Sequence, residues 1–246
     1  MADAGGVGVT VFGPQHADVY EATYRGRGKD WEGEAADVAR VIRELRPGAL
    51  SLLDVGCGTG AHLETFHKAF AAVEGVEIAE PMRERARRRL PGVTVHDADM
   101  RQLSLGRTFD AVTCLFTAIN FLSGVEDMRA AVASMARHLA PGGVLVVEPW
   151  WFPETFIDGY VGGDLVRDDG RVVARVSRSV RQGNATRMEE RWVVADASGF
   201  HTFDEVGFLA LFAREDYVAA FEAAGCSVEY RDGWLTGRGL FVGVKR

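Results

Sequence analysis

Residues 52–60 have the sequence LLDVGCGTG, and this stretch decides the fold of the 246-residue chain. A short apolar run leads to an acidic residue and three alternating glycines, and apolar residues at helical spacing follow. Glycine suits such a turn because a Cβ atom would block the tight bend and keep the backbone away from a ligand. The next helix offers free N–H groups and a partial positive charge at its N-terminus. The stretch therefore predicts a buried strand, a ligand-binding turn and a helix.

Strand-like apolar runs alternate with helical patterns around this stretch. A helix is predicted before it, with Asp30 as its N-cap and Pro47-Gly48 as its end. Five strands are predicted at 50–55, 72–78, 93–96, 109–115 and 144–147, with helices between them. This rhythm implies right-handed crossovers and therefore a parallel, doubly wound sheet.

The pattern changes after Pro149. The segments 165–180, 186–194 and 202–211 are rich in β-branched, aromatic and charged residues and have no helical period. They predict an antiparallel extension outside the main sheet. A helix at 217–224 and strands at 226–230 and 239–244 are predicted to complete the chain.

We expect one α/β domain over residues 1–246. Its cofactor-binding core is predicted at about 48–150, and a substrate-side insertion at about 151–212. An insertion after the fifth strand lies near the carboxyl edge of the sheet, where ligands bind in such folds.

Composition excludes several other classes of protein. The formal net charge of −7 argues against non-specific binding to nucleic acid or to an anionic membrane. No apolar run approaches the roughly 18 residues that a membrane-spanning helix needs, and no signal peptide is apparent. The three cysteines and six histidines have no spacing typical of a disulfide framework or a metal site. We therefore expect a cytoplasmic protein without a bound metal.

The glycine motif alone fits more than one ligand. Gly56, Gly58 and Ala61 also satisfy the G-x-G-x-x-G/A pattern of NAD-binding folds, and a plain tight turn is a further alternative. The form of the motif here adds Asp54 before the first glycine and Gly60 after the second. That form favours a methyltransferase over a dehydrogenase.

Two acidic residues beyond the motif support the same interpretation. Glu77 comes at the end of the second predicted strand, where a carboxylate can accept both ribose hydroxyls. Asp99 follows the third strand, where it can bind the adenine amino group beside the apolar side chain of Met100. Each could instead be a helix cap or a solvated loop residue, but together their spacings favour S-adenosylmethionine.

Over roughly residues 48–150 the chain resembles the Rossmann-like class I methyltransferases. The resemblance implies a parallel-rich seven-stranded sheet with an antiparallel insertion after the fifth strand, and S-adenosylmethionine as the cofactor. It implies that the glycine turn binds the cofactor, that Glu77 binds the ribose, and that Asp99 with Met100 brackets the adenine. The predicted cofactor-binding residues are Tyr24, Lys29, Asp54, Gly56, Gly58, Gly60, Glu77, Asp99 and Met100.

A narrower resemblance covers nearly the whole chain. It rests on residues 24–30 (YRGRGKD), 148–154 (EPWWFPE), 158–161 (DGYV) and 237–243 (GRGLFVG). These look like segments of the N,N-dimethyltransferases that act on thymidine-diphosphate-linked 3-amino sugars in macrolide antibiotic biosynthesis, the desosamine and mycaminose type. The resemblance implies a nucleotide-sugar substrate and a homodimer.

The side chains of these segments suit a nucleotide-sugar. Trp150 and Tyr160 are predicted to bracket the base. Guanidinium groups match phosphate oxygens, although about half of the arginines on an alternating extension should face solvent. The predicted substrate-binding residues are Phe121, Glu148, Trp150, Tyr160, Arg175, Arg178 and Arg238.

The predicted catalytic residues are Tyr20 and Asn120. Methyl transfer is an in-line displacement, so the enzyme must mainly align a neutral amine with the methyl group. The family pattern has a tyrosine near the N-terminus, which matches Tyr20, and a histidine after the fourth strand. Phe121 occupies the histidine position here, and a phenyl ring neither accepts a proton nor forms a hydrogen bond to a hydroxyl. Our hypothesis is that Phe121 indicates a sugar substrate different from that of the enzymes with the histidine, and that Tyr20 or Asn120 orients the acceptor.

Three alternatives remain open from the sequence. The missing histidine gives some support to an O-methyltransferase that acts on a sugar hydroxyl or another small metabolite. A nicotinamide-dependent oxidoreductase is disfavoured because no Tyr-x-x-x-Lys pair stands at its expected place. A non-catalytic cofactor-binding module would not need the aromatic and basic second half of the chain.

Overall fold

The computed structural model describes residues 12–234 and 237–246. The helices in these ranges are α1 (Pro14–Gly26), α2 (Trp31–Leu45), α3 (Ala61–Ala69), α4 (Glu80–Arg89), α5 (Val125–Arg137) and α6 (Arg214–Ala223). The strands are β1 (Ser51–Val55), β2 (Ala72–Val76), β3 (Thr94–His96), β4 (Phe109–Cys114), β5 (Leu139–Val147), β6 (Tyr160–Asp168), β7 (Arg171–Gln182), β8 (Ala185–Asp196), β9 (Gly199–Ala210), β10 (Glu229–Arg231) and β11 (Leu240–Val244).

The main sheet has seven strands in the order β10-β11-β5-β4-β1-β2-β3. Strands β1 to β5 are mutually parallel, and β11 and β10 are added antiparallel. The strand order reverses at β1, which pairs with β2 on one side and with β4 on the other. The predicted α/β fold is therefore confirmed, and its ligand crevice is expected at the carboxyl ends of β1 and β4.

Helices cover both faces of this sheet. Leu53 and Val55 of β1 pack into one apolar cluster with residues of α5 and α6, whereas Leu52 packs into a second cluster with residues of α2 and α3. Burial on both faces explains why the parallel strands are continuous apolar runs rather than alternating ones. None of the helices in the described part of the chain has the length and apolar composition needed to cross a bilayer.

The insertion is a separate antiparallel sheet of four strands, in the order β6-β7-β8-β9. The predicted antiparallel extension is confirmed, and the first of its three predicted segments, 165–180, is shared between β6 and β7. A hairpin turn divides it at Asp169 (φ 40°) and Gly170 (φ 77°). An Asp-Gly pair suits a hairpin turn in which both central residues have positive φ.

The first helix predicted from the sequence starts after Asp30, so helix α1, which carries Tyr20 and Tyr24, was not predicted. The helix starts with Pro14, whose fixed φ suits a first turn. A Cβ atom placed on Gly26 would lie 2.5 Å from Cγ2 of Val166. The backbone of α1 therefore approaches β6 closely, and this contact ties the N-terminal tyrosines to the insertion.

Candidate active site

The three glycines of the turn after β1 all have positive φ, but their surroundings differ. A Cβ atom on Gly56 would lie 2.6 Å from the Cβ of Ala118, and one on Gly60 would lie 3.2 Å from the Cα of Ala86. A Cβ atom on Gly58 would have no heavy atom within 4 Å. Gly58 therefore leaves the backbone open to a ligand, whereas the other two glycines allow close packing against neighbouring segments.

A cavity of about 460 Å³ lies beside this turn, at the carboxyl ends of β1, β2 and β4. Its volume is in the range of about 300–1,000 Å³ that is typical of small-molecule sites. Six of the predicted cofactor-binding residues line it, namely Asp54, Gly56, Gly58, Glu77, Asp99 and Met100. The buried hydroxyl of Thr59 also lines it and has no partner among the described residues.

Glu77 is held in one orientation at the wall of this first cavity. Its Oε2 accepts a hydrogen bond from the N–H of Gly58 at 2.9 Å, and its Oε1 accepts one from Ala79 at 2.7 Å. Burial raises the pKa of the carboxyl group, and the backbone bonds partly oppose this shift. The carboxylate is thus fixed beside the glycine turn, where the prediction of ribose binding needs it.

Asp54 is almost fully buried at the end of β1. Its Oδ1 accepts a hydrogen bond from the hydroxyl of Thr113 at 2.7 Å. Burial raises the pKa of Asp54 from 3.8 to about 6, because a low-dielectric environment disfavours the charged form. A cationic ligand beside this buried carboxyl group would stabilise its ionised form.

The carboxylate of Asp99 pairs with a cationic side chain that the sequence patterns did not single out. The guanidinium group of Arg101 donates to both oxygens, and these bonds lower the pKa of Asp99. Arg101 also reaches Asp127 on α5, at 3.2 Å. The two-residue spacing of Asp99 and Arg101 was visible in the sequence, but the contribution of Asp127 depends on how α5 packs.

A second cavity, of about 640 Å³, lies between α1, the loop after β5 and the four-stranded sheet. It brings together five of the predicted substrate-binding residues that are far apart in sequence, namely Phe121, Trp150, Tyr160, Arg175 and Arg238. Two buried groups of this set, Nε1 of Trp150 and Nε of Arg238, have no hydrogen-bond partner among the described residues. Unpaired buried N–H donors suit a ligand rich in oxygen acceptors.

Tyr24 and Lys29 also line the second cavity rather than the first, although they were predicted to bind the cofactor. The contact of α1 with β6 carries the end of this helix toward the insertion. The ammonium group of Lys29 lies 3.7 Å from the centre of the Phe116 ring and pairs with Glu34. Burial lowers the pKa of Lys29, and the Glu34 carboxylate opposes this shift.

Arg178 was predicted to bind substrate, but it does not line the second cavity. Successive side chains of a strand point to opposite faces, so Arg175, Ser177 and Ser179 face the second cavity and Arg178 faces away. Arg178 is 60 % exposed and lies 3.8 Å from Glu189. Arg175 is buried and donates to Glu190 and Asp164, at 2.8 and 3.1 Å.

Asn120 lines neither cavity, so the prediction that it orients the acceptor is corrected. Its side-chain amide is buried and committed to the fold. Nδ2 donates to the carbonyl of Ala210, and Oδ1 accepts from the N–H of Trp150, both at 2.9 Å. A third bond comes from the hydroxyl of Tyr217, at 3.1 Å. Asn120 therefore holds the loop of Trp150 in place from outside both cavities.

Glu148 is fully buried at the end of β5 and lies behind the wall of the second cavity rather than on it. Its Oε1 accepts a hydrogen bond from Nη2 of Arg238 at 2.8 Å, and its Oε2 accepts one from the N–H of Phe116 at 2.7 Å. The prediction of direct substrate contact is therefore corrected. Glu148 positions the arginine that lines the cavity and the backbone of Phe116.

The two cavities meet at four aromatic residues, Phe12, Tyr20, Phe116 and Phe121. These are the residues that line both cavities within the described ranges, and we call them the aromatic collar. The ring of Phe12 lies 5.9 Å from that of Tyr20 and 5.2 Å from that of Phe121. Burial raises the pKa of Tyr20 well above its ordinary value, so this phenol stays protonated at neutral pH.

Backbone strain marks one side of the collar. Phe116 and Thr117 have φ values of 47° and 65°, which residues other than glycine rarely adopt. Such strain persists only where the surroundings hold it, and here the Glu148 carboxylate holds the Phe116 N–H. No sequence pattern indicated this conformation, because it depends on a partner 32 residues away.

A buried charged cluster connects α1 with β8 and β9. The side chains of His16, Glu190 and Glu205 converge. One ring nitrogen of the histidine and one carboxylate oxygen of each glutamate all lie within 4.8 Å of one another. His16 pairs with Glu205, and Glu190 pairs with Arg175. The sequence spacing of these residues gave no hint of the cluster, and the contact of His16 with Glu205 connects the helix of Tyr20 to the insertion.

Comparison with known proteins agrees with this geometry. A family model described as a methyltransferase domain matches residues 52–143, from β1 into β5. The S-adenosylmethionine-bound structure of CalS10, an amino pentose methyltransferase from Micromonospora echinaspora involved in calicheamicin biosynthesis, shares 68 % identity. Its TM-score is 0.87, over 93 % of this chain and 97 % of that chain.

Two curated relatives span almost the same length. The dTDP-3-amino-3,4,6-trideoxy-alpha-D-glucopyranose N,N-dimethyltransferase of Streptomyces venezuelae is 56 % identical, over 93 % of this chain and 97 % of the relative. The dTDP-4-amino-2,3,4,6-tetradeoxy-D-glucose N,N-dimethyltransferase of Saccharopolyspora spinosa is 48 % identical, over 96 % and 95 %. The resemblance predicted from the motifs is thus confirmed. The chain belongs to the family of S-adenosylmethionine-dependent sugar N-methyltransferases.

Proposed function

We propose that this enzyme transfers a methyl group from S-adenosylmethionine to the amino group of a TDP-linked amino deoxysugar in the biosynthesis of an antibiotic or related secondary metabolite. The observation that carries the proposal is the meeting of the two cavities at the aromatic collar. A methyl donor in the first cavity and an amine in the second would face each other there. The relatives named above act on amino sugars of this class, which supports the same acceptor for this chain.

The first cavity suits a cationic donor. S-adenosylmethionine supplies an electrophilic methyl group on a positively charged sulfur. The charged lining residues are mostly carboxylates, namely Asp54, Glu77, Asp99 and Asp127, against the single guanidinium of Arg101. This balance favours a sulfonium and an ammonium group, and it disfavours the pyrophosphate of NAD. In our proposal the region 48–150 therefore binds the methyl donor.

The second cavity suits an anionic nucleotide-sugar. Arg238 and Trp150 present N–H groups without partners in the described ranges. Guanidinium groups bind diphosphate oxygens well, and the exposed ring of Tyr160 at the rim can stack on a base. In this proposal the insertion, about 151–212, and the last loop of the chain bind the acceptor.

Transfer needs alignment more than a base. A neutral amine attacks the methyl carbon with its own lone pair, whereas a sugar hydroxyl is a poor nucleophile until it loses a proton. The collar offers three phenyl rings and the protonated Tyr20, none of which accepts a proton at neutral pH. This environment favours N-methylation over the O-methylation that the sequence left open.

The proposal is tested by mass spectrometry of TDP-sugars incubated with enzyme and S-adenosylmethionine. The panel contains 3-amino and 4-amino sugars, each as a pentose and a hexose, with the matching hydroxyl compounds as controls. We expect one or two added methyl groups on an amine and none on a hydroxyl. Transfer to the hydroxyl compounds alone, or to none of them, would contradict the proposal.

The position of Phe121 in the collar predicts a role in sugar preference. A Phe121→His exchange should change the ranking of the amino sugars in this panel by about tenfold or more, which is typical of one altered polar contact. The affinity for S-adenosylmethionine should change by less. Kinetics on two sugars, with calorimetry for the cofactor, separate the two effects. An unchanged ranking would show that Phe121 does not contribute to selecting the sugar.

We further propose that the enzyme is a cytoplasmic homodimer that pairs through the outer face of the four-stranded sheet. Strand register places Val161, Leu165 and Val176 on this face, and all three are well exposed. Exposed apolar patches often mark protein contacts. The three free cysteines suit a reducing compartment. Sedimentation of Leu165→Glu against the wild type tests the dimer, because a monomeric variant is expected.

A further inference from the structure

The aromatic collar surrounds the point where the methyl group must cross from donor to acceptor. Its four members lie at the shared boundary of the two cavities, and none of them carries a charge at neutral pH. A methyl-transfer site lined by aromatic rings differs in its electrostatic environment from one lined by hydrogen-bonding groups. Such rings present negative π faces that attract cations.

Two of the phenylalanines in the collar have different electrostatic partners. The ring of Phe116 already has the ammonium of Lys29 at 3.7 Å and the guanidinium of Arg238 at 5.5 Å from its centre. Phe121 forms a T-shaped contact with Phe12, at 5.2 Å between ring centres. None of the cation–π contacts within residues 12–234 and 237–246 involves the Phe121 ring. Phe121 therefore lines both cavities without a protein cation that would compete with a charge in the cavities.

The reaction moves such a charge through the collar. The nitrogen lone pair forms the new N–C bond, and the C–S bond breaks with its electron pair going to sulfur. The positive charge thus passes from sulfur to nitrogen, and water takes the proton from the ammonium product. In the ground state the charge lies in the first cavity, whereas in the transition state it is spread along the S–C–N axis within the collar. A group that binds the charge better at that moment accelerates the step.

We propose that Phe121 is a catalytic residue whose π face stabilises the positive charge during methyl transfer. This inference rests on the proposed function and adds a role for the ring that replaces a hydrogen-bonding side chain. It also makes the site tolerant of successive methylation. A monomethylamine keeps its attraction to the ring, whereas a site built on N–H hydrogen bonds would lose a partner with each added methyl group.

The test replaces Phe121 with phenylalanines that carry one, two or three fluorine atoms. Fluorine withdraws electron density from the π face and changes the shape of the ring little. We expect kcat to fall steadily with fluorine number, by a total of about 2- to 30-fold, and to fall more than the affinity for S-adenosylmethionine. Monomethylated acceptor should follow the same trend as the primary amine.

Phe221 is the matched control, because its ring is fully buried in the core beside α5 and lines neither cavity. The same series at Phe221 should leave kcat within about twofold. A flat series at Phe121, or an equal fall at both positions, would overturn the assignment while leaving the proposed function intact. Failure of the unmodified enzyme to methylate any TDP-amino sugar would instead remove the proposed function and, with it, this role of Phe121.

Discussion

Asp54 gives the first cavity a dependence on pH. Its pKa of about 6 in the ligand-free protein means that it takes up a proton as the pH falls through 6. A cationic ligand binds the ionised form better. We therefore expect the affinity for S-adenosylmethionine to be constant above pH 7 and to weaken below pH 6 by up to about tenfold per pH unit. Calorimetry between pH 5 and 8 measures this directly.

The Asp54→Asn variant is the control for this dependence, and it should bind S-adenosylmethionine weakly and without the step near pH 6.

The stability of the folded protein depends on the ionisation of Asp54 in the opposite direction. Because the folded-state pKa of Asp54 is raised, its contribution to the free energy of unfolding is largest below pH 4 and is lost as the pH rises through 6. The loss is roughly 3 kcal/mol. The ligand-free variant should thus be more stable than the wild type at pH 8, and lower stability would contradict this explanation.

Gly56 has the strictest steric requirement of the three glycines in the turn. An alanine there would combine a φ of 71° with a Cβ atom 2.6 Å from that of Ala118. We expect Gly56→Ala to lower the free energy of unfolding by about 1–3 kcal/mol and to weaken cofactor binding. Urea unfolding and calorimetry measure the two effects.

The comparison for that variant is Gly48→Ala in the exposed turn after α2. A Cβ atom at Gly48 would have no heavy atom within 4 Å, and its φ lies outside the left-handed region. Its stability should stay within about 0.5 kcal/mol of the wild type. Equal losses at Gly48 and Gly56 would show that neither the positive φ nor the contact with Ala118 determines the effect.

Sequence patterns located the residues of the first cavity better than those of the second. Asp54 lies near the carboxyl end of β1, and Glu77 and Asp99 follow β2 and β3. The order of the parallel strands alone brings such positions together. Arg178 and Glu148 were predicted to bind substrate but do not line the second cavity, because the strand face and the depth of a side chain depend on tertiary packing. A residue type that suits phosphate binding says nothing about the direction in which its side chain points.

At the scale of elements, the contact of α1 with β6 controls where Tyr20 and Tyr24 lie. Gly26→Ala would place a Cβ atom 2.5 Å from Cγ2 of Val166 and push the helix away from the strand. We expect lower stability and slower methyl transfer, with a smaller change in cofactor affinity. Urea unfolding and steady-state kinetics provide the measurements.

A double-mutant cycle with Val166→Ala isolates this contact. Once the valine methyl groups are removed, the nearest atom to the new Cβ is the Cβ of residue 166, at 3.1 Å. The loss caused by Gly26→Ala should therefore be smaller in the Val166→Ala background, with a coupling energy of about 1–3 kcal/mol. Additive effects would mean that α1 does not depend on close approach to β6.

Elements with strong local signals were predicted well. Helix α2 begins after Asp30, whose carboxylate accepts a hydrogen bond from the N–H of Gly33 at 2.9 Å, as the N-cap prediction required. Helix α1 was missed although Pro14 offers a start signal, because its apolar side chains are few and its stability comes from packing on the insertion. The turn at Asp169-Gly170 had a recognisable sequence signature that the patterns of the flanking strands concealed.

At the scale of the whole molecule, ligand binding should be visible as thermal stabilisation. S-adenosylmethionine at about 100 times its Kd should add about 2.7 kcal/mol to the free energy of unfolding, which raises Tm by roughly 5–10 °C. NAD at the same concentration should leave Tm unchanged, because the first cavity is lined mainly by carboxylates. A thermal shift with NAD and none with S-adenosylmethionine would contradict the charge argument.

The second cavity is assembled from four stretches that are distant along the chain, namely 12–34 with α1, 116–121, 150–209 with the four-stranded sheet, and the loop of Arg238. The donor side, in contrast, lies mostly in the continuous run matched by the methyltransferase model. An exchange of the four-stranded sheet between two such enzymes would therefore move only part of the specificity. In evolutionary terms, the exchange of one such block transfers only part of a sugar preference, and substitutions in the other stretches supply the rest.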